Sequence, residues 1–356
     1  MSAERHCDVL VIGLGPAGGA AAWIAAQAGL AVIAVDRKAE IGLPVQCAEF
    51  IPAPLGRYAQ AEGVLQQRIG AMHSWLPSGT MSETAFTGLM VDRAAFDAAL
   101  AKRAADAGAR LSPGTTLDAI LPQGRARLRR DDEAFEVAYR LLIAADGPAS
   151  RVAHCLGLPA LKTVHTRQYT VPLLRPAAHT DIWLSPDYPG GYAWLFPKGD
   201  CANLGLGLDR RFAGDMKGPL DRLHAQLAEQ GTVGRDILQR TGGLIPVGGL
   251  RERLVHGNVL FVGDAAGLTH PITGAGIAAA VLSGERAGQA CADFLGGARG
   301  ALAEFEEDLR DQFGESIARA LRAREEMEQL WRTPAADADP MHRRGWIAFD
   351  EYYANN

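Results

Sequence analysis

The chain has 356 residues, of which 48% are hydrophobic and 22% charged, and a formal net charge of -5. That length buries a core without staples, and the ordinary composition excludes a disordered or fibrous chain. A weakly acidic balance lacks the basic field that nucleic-acid binding draws on.

In chain order, residues 7–12 form a short apolar run rich in β-branched side chains, which predicts a buried parallel strand. Residues 16–28 are Ala-rich and predict a helix, and 31–35 a second buried strand. No charge falls between Asp8 and Asp36, so a hydropathy scan would offer a membrane span. The glycines inside that stretch divide it better into strand, turn, helix and strand. Residues 40–58, broken by Pro44, Pro52, Pro54 and Gly56, read as a long loop of the functional kind. A helix is expected over 93–107, an antiparallel meander over 115–139 and a buried strand over 140–144. Between about 160 and 250, strand-like runs at 168–174, 182–184, 192–196 and 202–208, with a helix near 220–230, indicate a separate sheet layer. The buried-strand pattern returns at 258–262, followed by a helix over 274–295. A long amphipathic helix over 304–331 leads to an irregular aromatic tail, 333–356. Cys7, Cys47, Cys155, Cys201 and Cys291 are scattered, with no metal-binding spacing, so they read as reduced thiols of a cytoplasmic protein with no metal centre.

Three segments carry the chemistry. The first is Gly13-x-Gly15-x-x-Gly18, following a strand and opening a helix. The first glycine allows the tight turn, the second admits a pyrophosphate to the backbone, and the third lets helix meet strand. Asp36, at the end of the next strand, is placed to accept hydrogen bonds from a ribose and disfavours a 2′-phosphate. The triplet alone does not separate FAD from NAD. The second segment is 142–151, turning at Asp146-Gly147. The third runs from Asn258 through Gly263-Asp264 to Pro271-Ile272-Thr273-Gly274-Ala275-Gly276. Each is a buried strand ending in a small acidic turn, where α/β sheets bind ligands.

These segments, in this order, resemble the glutathione-reductase-type FAD fold of flavoprotein monooxygenases and geranylgeranyl reductases, from Asp8 to about Ala290. The implied fold class is α/β: a Rossmann-type FAD-binding domain of the glutathione-reductase/p-hydroxybenzoate-hydroxylase type with an inserted antiparallel β-sheet substrate domain and C-terminal helices. The expected division is 1–160 with 241–300 for FAD, with a small substrate-side contribution near 60–92, then 161–240 as the cap and 301–356 as helix and tail. The resemblance implies FAD contacts at Gly13, Gly15, Pro16, Ala17, Gly18, Asp36, Arg37, Cys47, Ala48, Arg93, Asp146, Gly147, Gly263, Asp264, Gly274, Ala275, Gly276 and Ile277. The run Pro44-Val45-Gln46-Cys47-Ala48-Glu49 resembles the cysteine loop of geranylgeranyl reductases, and the run from Tyr192 to Lys198 resembles their substrate-cavity strands. Tyr192 and Trp194 share a strand face and, with Phe196 and Pro271, are the expected substrate contacts, although aromatic pairs are as readily sheet core.

The resemblance implies reduction of carbon–carbon double bonds in a hydrophobic, prenyl-like substrate. Cys47 is the candidate proton donor and His270 the second; a small buried cysteine and a structural histidine are the plain alternatives. The chain is shorter than typical geranylgeranyl reductases, so a substrate other than a long prenyl chain stays open. Two other functions stay open because a fold does not decide chemistry: hydroxylation of an aromatic or lipid substrate by an FAD-dependent monooxygenase, and electron transfer by a flavoprotein docked on a partner or membrane. With no second glycine fingerprint, NAD(P)H or reduced ferredoxin would supply electrons without a dedicated domain. The chain is expected to act as a monomer or homodimer, with its tail touching its own domain, a dimer mate or a membrane surface.

Overall fold

The computed structural model describes residues 5–212 and 214–354. The chain begins with strand β1 (Arg5–Ile12), helix α1 (Pro16–Gln27) and strand β2 (Val32–Asp36). It crosses to a second sheet for β3 (Phe50–Pro52), β4 (Leu65–Trp75) and β5 (Met81–Val91). Helix α2 (Arg93–Asp106) returns it to the first sheet for β6 (Arg110–Pro113), β7 (Thr115–Leu121), β8 (Arg125–Arg130) and β9 (Glu133–Ala144). After α3 (Arg151–Cys155), the second sheet gains β10 (Thr163–Pro172), β11 (His179–Trp183), β12 (Ala193–Lys198) and β13 (Cys201–Leu208). Helix α4 (Lys217–Glu229), β14 (Gln239–Thr241) and β15 (Leu244–Pro246) complete that layer. The chain closes with β16 (Val255–His256), β17 (Val259–Phe261), α5 (Gly263–Ala266), α6 (Ile277–Leu295), α7 (Ala301–Leu330), α8 (Asp339–Gly345) and α9 (Asp350–Ala354).

The first sheet runs β16-β17-β9-β1-β2-β6, with β7 and β8 as a meander on β9. Its centre is parallel, and Val9, Leu10, Val11, Leu141, Leu142 and Ile143 are buried in one core with α1 and α6 and with Leu117 and Leu128 of the β7–β8 meander, as unbroken apolar runs require. Helix α6 lies so close over α1 that a Cβ at Gly284 would sit 2.1 Å from the Ala17 carbonyl oxygen. Register sets Ile12 beside Ala144 and Ala144 beside Phe261, so three chain turns leave the sheet at one edge.

The second sheet runs β14-β10-β13-β12-β11-β4-β5-β3, antiparallel except where β11 lies parallel to β4. Leu220, Leu223 and Leu227 of α4 cover one face. The C-terminal segment covers part of the other: Trp346 and Phe349 join Met72, Ile182 and Trp194 in one buried cluster. Two expectations change here. The 40–58 stretch contains β3 and a 3-10 turn, Ala53–Tyr58, because Ile51, Leu55 and Tyr58 find a core against α2 and α6. The tail is ordered rather than irregular: Trp346 is buried with its Nε1 donating to Ser74 Oγ at 3.0 Å, and Tyr352 is buried too. Among the described residues, no helix is long and apolar enough to cross a membrane.

Candidate active site

The turn between β1 and α1 is made by close approach. Gly13 has φ +104°, and a Cβ there would lie 2.3 Å from the Ala145 oxygen. A Cβ at Gly18 would lie 1.8 Å from the Gly13 oxygen. At Gly15 a Cβ would meet nothing within 4 Å, so this residue faces open space at the mouth of α1, with Pro16 and Ala17 in its first turn. The two outer glycines serve packing, and the middle one leaves room for a phosphate at a helix N-terminus. Asp36 binds this turn to β2: Oδ2 accepts from Leu14 N at 2.7 Å and Oδ1 from Lys38 N at 2.8 Å. Arg37 is exposed beside it.

The neighbouring strand ends supply two carboxylates. Asp146 Oδ2 accepts from Val152 N at 3.0 Å, whereas Oδ1 is buried with no protein partner. Burial pushes its carboxyl up, against hydrogen bonds from the Ser150–Val152 turn. Gly147 follows at φ +81°. Asp264 accepts from Thr269 Oγ1 at 2.6 Å, and burial raises its carboxyl against that bond and the field of Arg93. A Cβ at Gly276 would come within 3.1 Å of Asp264 Oδ1 and 2.9 Å of Thr269 Oγ1, so the Gly274–Gly276 turn needs a bare backbone before Ile277 opens α6. Ala275 N is half satisfied by Thr273 Oγ1 at 3.3 Å, and the Gly263 N–H is already taken by Ser283 Oγ at 3.0 Å. The open Gly15 turn and the orphaned Asp146 oxygen, set at one sheet edge, fit an extended dinucleotide.

The loop before β3 brings Cys47 to the same edge. Its half-buried thiol is pushed up by desolvation, opposed by the Arg93 guanidinium that contacts it. Arg93 forks onto Asp97 at 2.9 and 3.1 Å; Asp97 outweighs burial and keeps the guanidinium firmly charged. Beneath the thiol lies a network that pattern reading left without a role. Glu49 is buried at φ +70°, a strained setting for a residue with a side chain. Its carboxylate accepts from Lys198 Nζ (2.8 and 2.9 Å), Asn203 Nδ2 (2.8 Å) and Arg93 N (2.9 Å). Asn203 also donates to the Ala48 carbonyl, and Gln168 Nε2 to the Cys47 carbonyl at 3.0 Å. Trp194 Nε1 in turn donates to Gln168 Oε1 at 3.1 Å. Three strands, β10, β12 and β13, and the first residue of α2 thereby fix one loop.

A narrow cleft with a cavity volume of about 20 Å³ is walled by Tyr192, Trp194, Ile245, Pro271 and Gly274, with the buried Arg324 at its end. The Tyr192 ring lies 5.8 Å from Trp194 and 4.9 Å from Trp346, and its hydroxyl donates to the Thr273 carbonyl. Phe196 is not part of that wall; its ring packs edge-on to Phe50 at 6.1 Å. His270 sits behind the Gly274 turn. Its Nδ1 accepts from Thr273 N at 3.2 Å, its Nε2 lies 3.4 Å from the Tyr352 hydroxyl, and burial pushes its pKa down to about 4. The structure therefore gathers the glycine turn, Asp36, Cys47, Arg93, Asp146 and Asp264 along one edge, with Tyr192, Trp194 and Pro271 facing it across the cleft.

A two-sheet body with this cradle is the p-hydroxybenzoate-hydroxylase type of flavoprotein fold. Its geometry is shared with a geranylgeranyl bacteriochlorophyll reductase-like protein from Thermoplasma acidophilum, at TM-score 0.87 and 25% identity over 97% of this chain and 93% of that one. A probable FAD-dependent monooxygenase from Pseudomonas aeruginosa shares the fold at TM-score 0.69 and 20% identity, covering 91% and 97%. The lycopene cyclase protein family model matches residues 216–350. Digeranylgeranylglycerophospholipid reductase 2 of Methanopyrus kandleri is 35% identical over 339 residues, 89% of this chain and 85% of its own length. The chain belongs to the digeranylgeranylglycerophospholipid reductase family.

Proposed function

We propose that the protein is an FAD-dependent reductase that saturates carbon–carbon double bonds of an isoprenoid lipid. The observation that carries this reading is the Cys47 thiol, kept protonated by burial, on a loop held by three strands between the dinucleotide cradle and an aromatic-walled cleft. Family membership supports the substrate class.

Gly13, Gly15, Pro16, Ala17 and Gly18 would hold the FAD diphosphate, with Asp36 and Arg37 at the adenosine side. Asp146, Gly147 and Gly263 would line the middle, Asp264 would meet the ribityl chain, and the Gly274–Ile277 backbone the ring. When bound and reduced, FAD supplies a hydride equivalent, from NAD(P)H or reduced ferredoxin as ultimate donor. Cys47 supplies the matching proton: its S–H bond breaks, the proton passes to substrate carbon, and Arg93 steadies the thiolate until water reprotonates it. Tyr192, Trp194 and Pro271 would shield the double bond from water, with Phe196 supporting the loop through Phe50. His270, neutral and fully engaged, holds the Gly274 turn and is assigned no proton.

The test is anaerobic turnover of a geranylgeranyl lipid by the reduced protein, read by product mass, with NADPH, NADH and reduced ferredoxin as donors. The proposal expects a gain of two hydrogens per double bond. It also expects Cys47→Ala to retain FAD while losing turnover about 100-fold or more. A product that gains oxygen on admission of air, with none that gains hydrogen, overturns the reductase reading. Full turnover by Cys47→Ala overturns the donor assignment.

A further inference from the structure

The face of the second sheet away from Trp346 carries a histidine cluster that the flavin chemistry does not use. Asp181 of β11 pairs in register with His73 of β4, and His73 with Glu83 of β5. His179 lies two residues before Asp181 and so shares its face. We propose that His73, His179 and Asp181 form a binding site for one divalent transition-metal ion of the zinc class. His73 Nδ1 lies 3.5 Å from Asp181 Oδ1, and His179 Nε2 lies 3.5 Å from Asp181 Oδ2. All three ligand atoms lie within 4.8 Å of one another. Zinc holds nitrogen and oxygen ligands at about 2.0–2.2 Å, which sets neighbouring corners of a tetrahedron about 3.3–3.6 Å apart. The imidazole rings stack at 3.8 Å with 24° between their planes, so binding one ion requires a rotation of one ring that brings both nitrogen lone pairs onto it.

The surroundings supply what metal ligands need. Glu83 Oε2 lies 3.1 Å from His73 Nε2, where it accepts the Nε2–H hydrogen bond in the tautomer that leaves Nδ1 free to ligate. Trp75 Nε1 donates to Asp181 Oδ1 at 2.9 Å and fixes the carboxylate. Two imidazoles and one carboxylate suit zinc, nickel or copper better than the all-oxygen shells of magnesium or calcium. Side-chain exposures of 15%, 32% and 13% for His73, His179 and Asp181 leave a path for the ion and a fourth position for water. Sequence spacing hides the site, since its histidines stand 106 positions apart.

Tag-free, chelator-stripped protein is titrated with Zn²⁺ by calorimetry and with Co²⁺ by visible absorption. One saturable equivalent is expected, with tetrahedral-type cobalt bands. His179→Ala and Asp181→Asn should abolish saturable binding, Glu83→Ala should weaken it about 10- to 100-fold, and the exposed His154→Ala should leave it intact. Should Asp181→Asn fail to fold, His179→Ala decides alone. Absence of saturable binding to the parent protein, or binding unchanged in His179→Ala, overturns the proposal and leaves only an ion-paired surface cluster. The flavin spectrum of each variant, read in parallel, should not move, which keeps this test separate from that of the flavin site.

Discussion

The two sheets build their halves of the site by different means. The first offers backbone: a glycine turn, helix mouths and strand ends, backed by an almost wholly apolar interior. The second offers side chains: Glu49, Lys198, Asn203, Gln168 and Trp194 bond across strands to hold one loop. A site made of backbone is broken by adding a methyl group. A site made of side chains is broken by removing a charge.

The largest effect should come from the first sheet. Gly18→Ala puts a Cβ against the Gly13 oxygen with no flexible neighbour to yield, and a loss on the order of 3–5 kcal/mol is expected, with loss of bound flavin. Gly15→Ala sharpens the contrast: its backbone is ordinary for alanine and its surroundings open, so denaturation should match the parent while flavin retention falls. On the second sheet, Trp346→Ala empties an aromatic slot against Tyr192 and should cost about 3–5 kcal/mol in denaturant unfolding. Lys198→Met leaves the Glu49 carboxylate buried without its cation and should cost about 3 kcal/mol, with turnover falling as the Cys47 loop loosens. The smallest effect is a pH dependence. His270 is neutral in the fold, with a pKa near 4 against about 6.5 unfolded, so its contribution is complete above pH 6.5 and is lost as pH falls toward 4. His270→Gln should flatten the stability profile in that window by up to one proton; an unchanged slope would show that His270 is solvated.

The contrast also explains what the sequence disclosed. The β1–α1–β2 unit was readable because strand, glycine turn, helix and Asp36 are local, and the turn has few alternative sequences. The strand ends at Asp146 and Asp264 were readable because parallel strands are apolar throughout and stop abruptly. The Glu49 network was not, since its backbone conformation depends on a lysine 149 positions away. The tail was misread for the same reason: Trp346 finds its hydrogen-bond partner, Ser74, 272 positions earlier. The strand at Phe50–Pro52 was masked by prolines that an edge strand tolerates.

The account depends on the first sheet holding a dinucleotide rather than a bare flavin ring. Reconstitution of stripped protein with FAD and with FMN, followed by gel filtration and visible spectra, tests that directly. The account predicts one tightly retained FAD per chain and no retained FMN, because the Gly15 turn and Asp36 would grip the diphosphate and adenosine that FMN lacks. A colourless protein after FAD treatment, or equal retention of FMN, would contradict it.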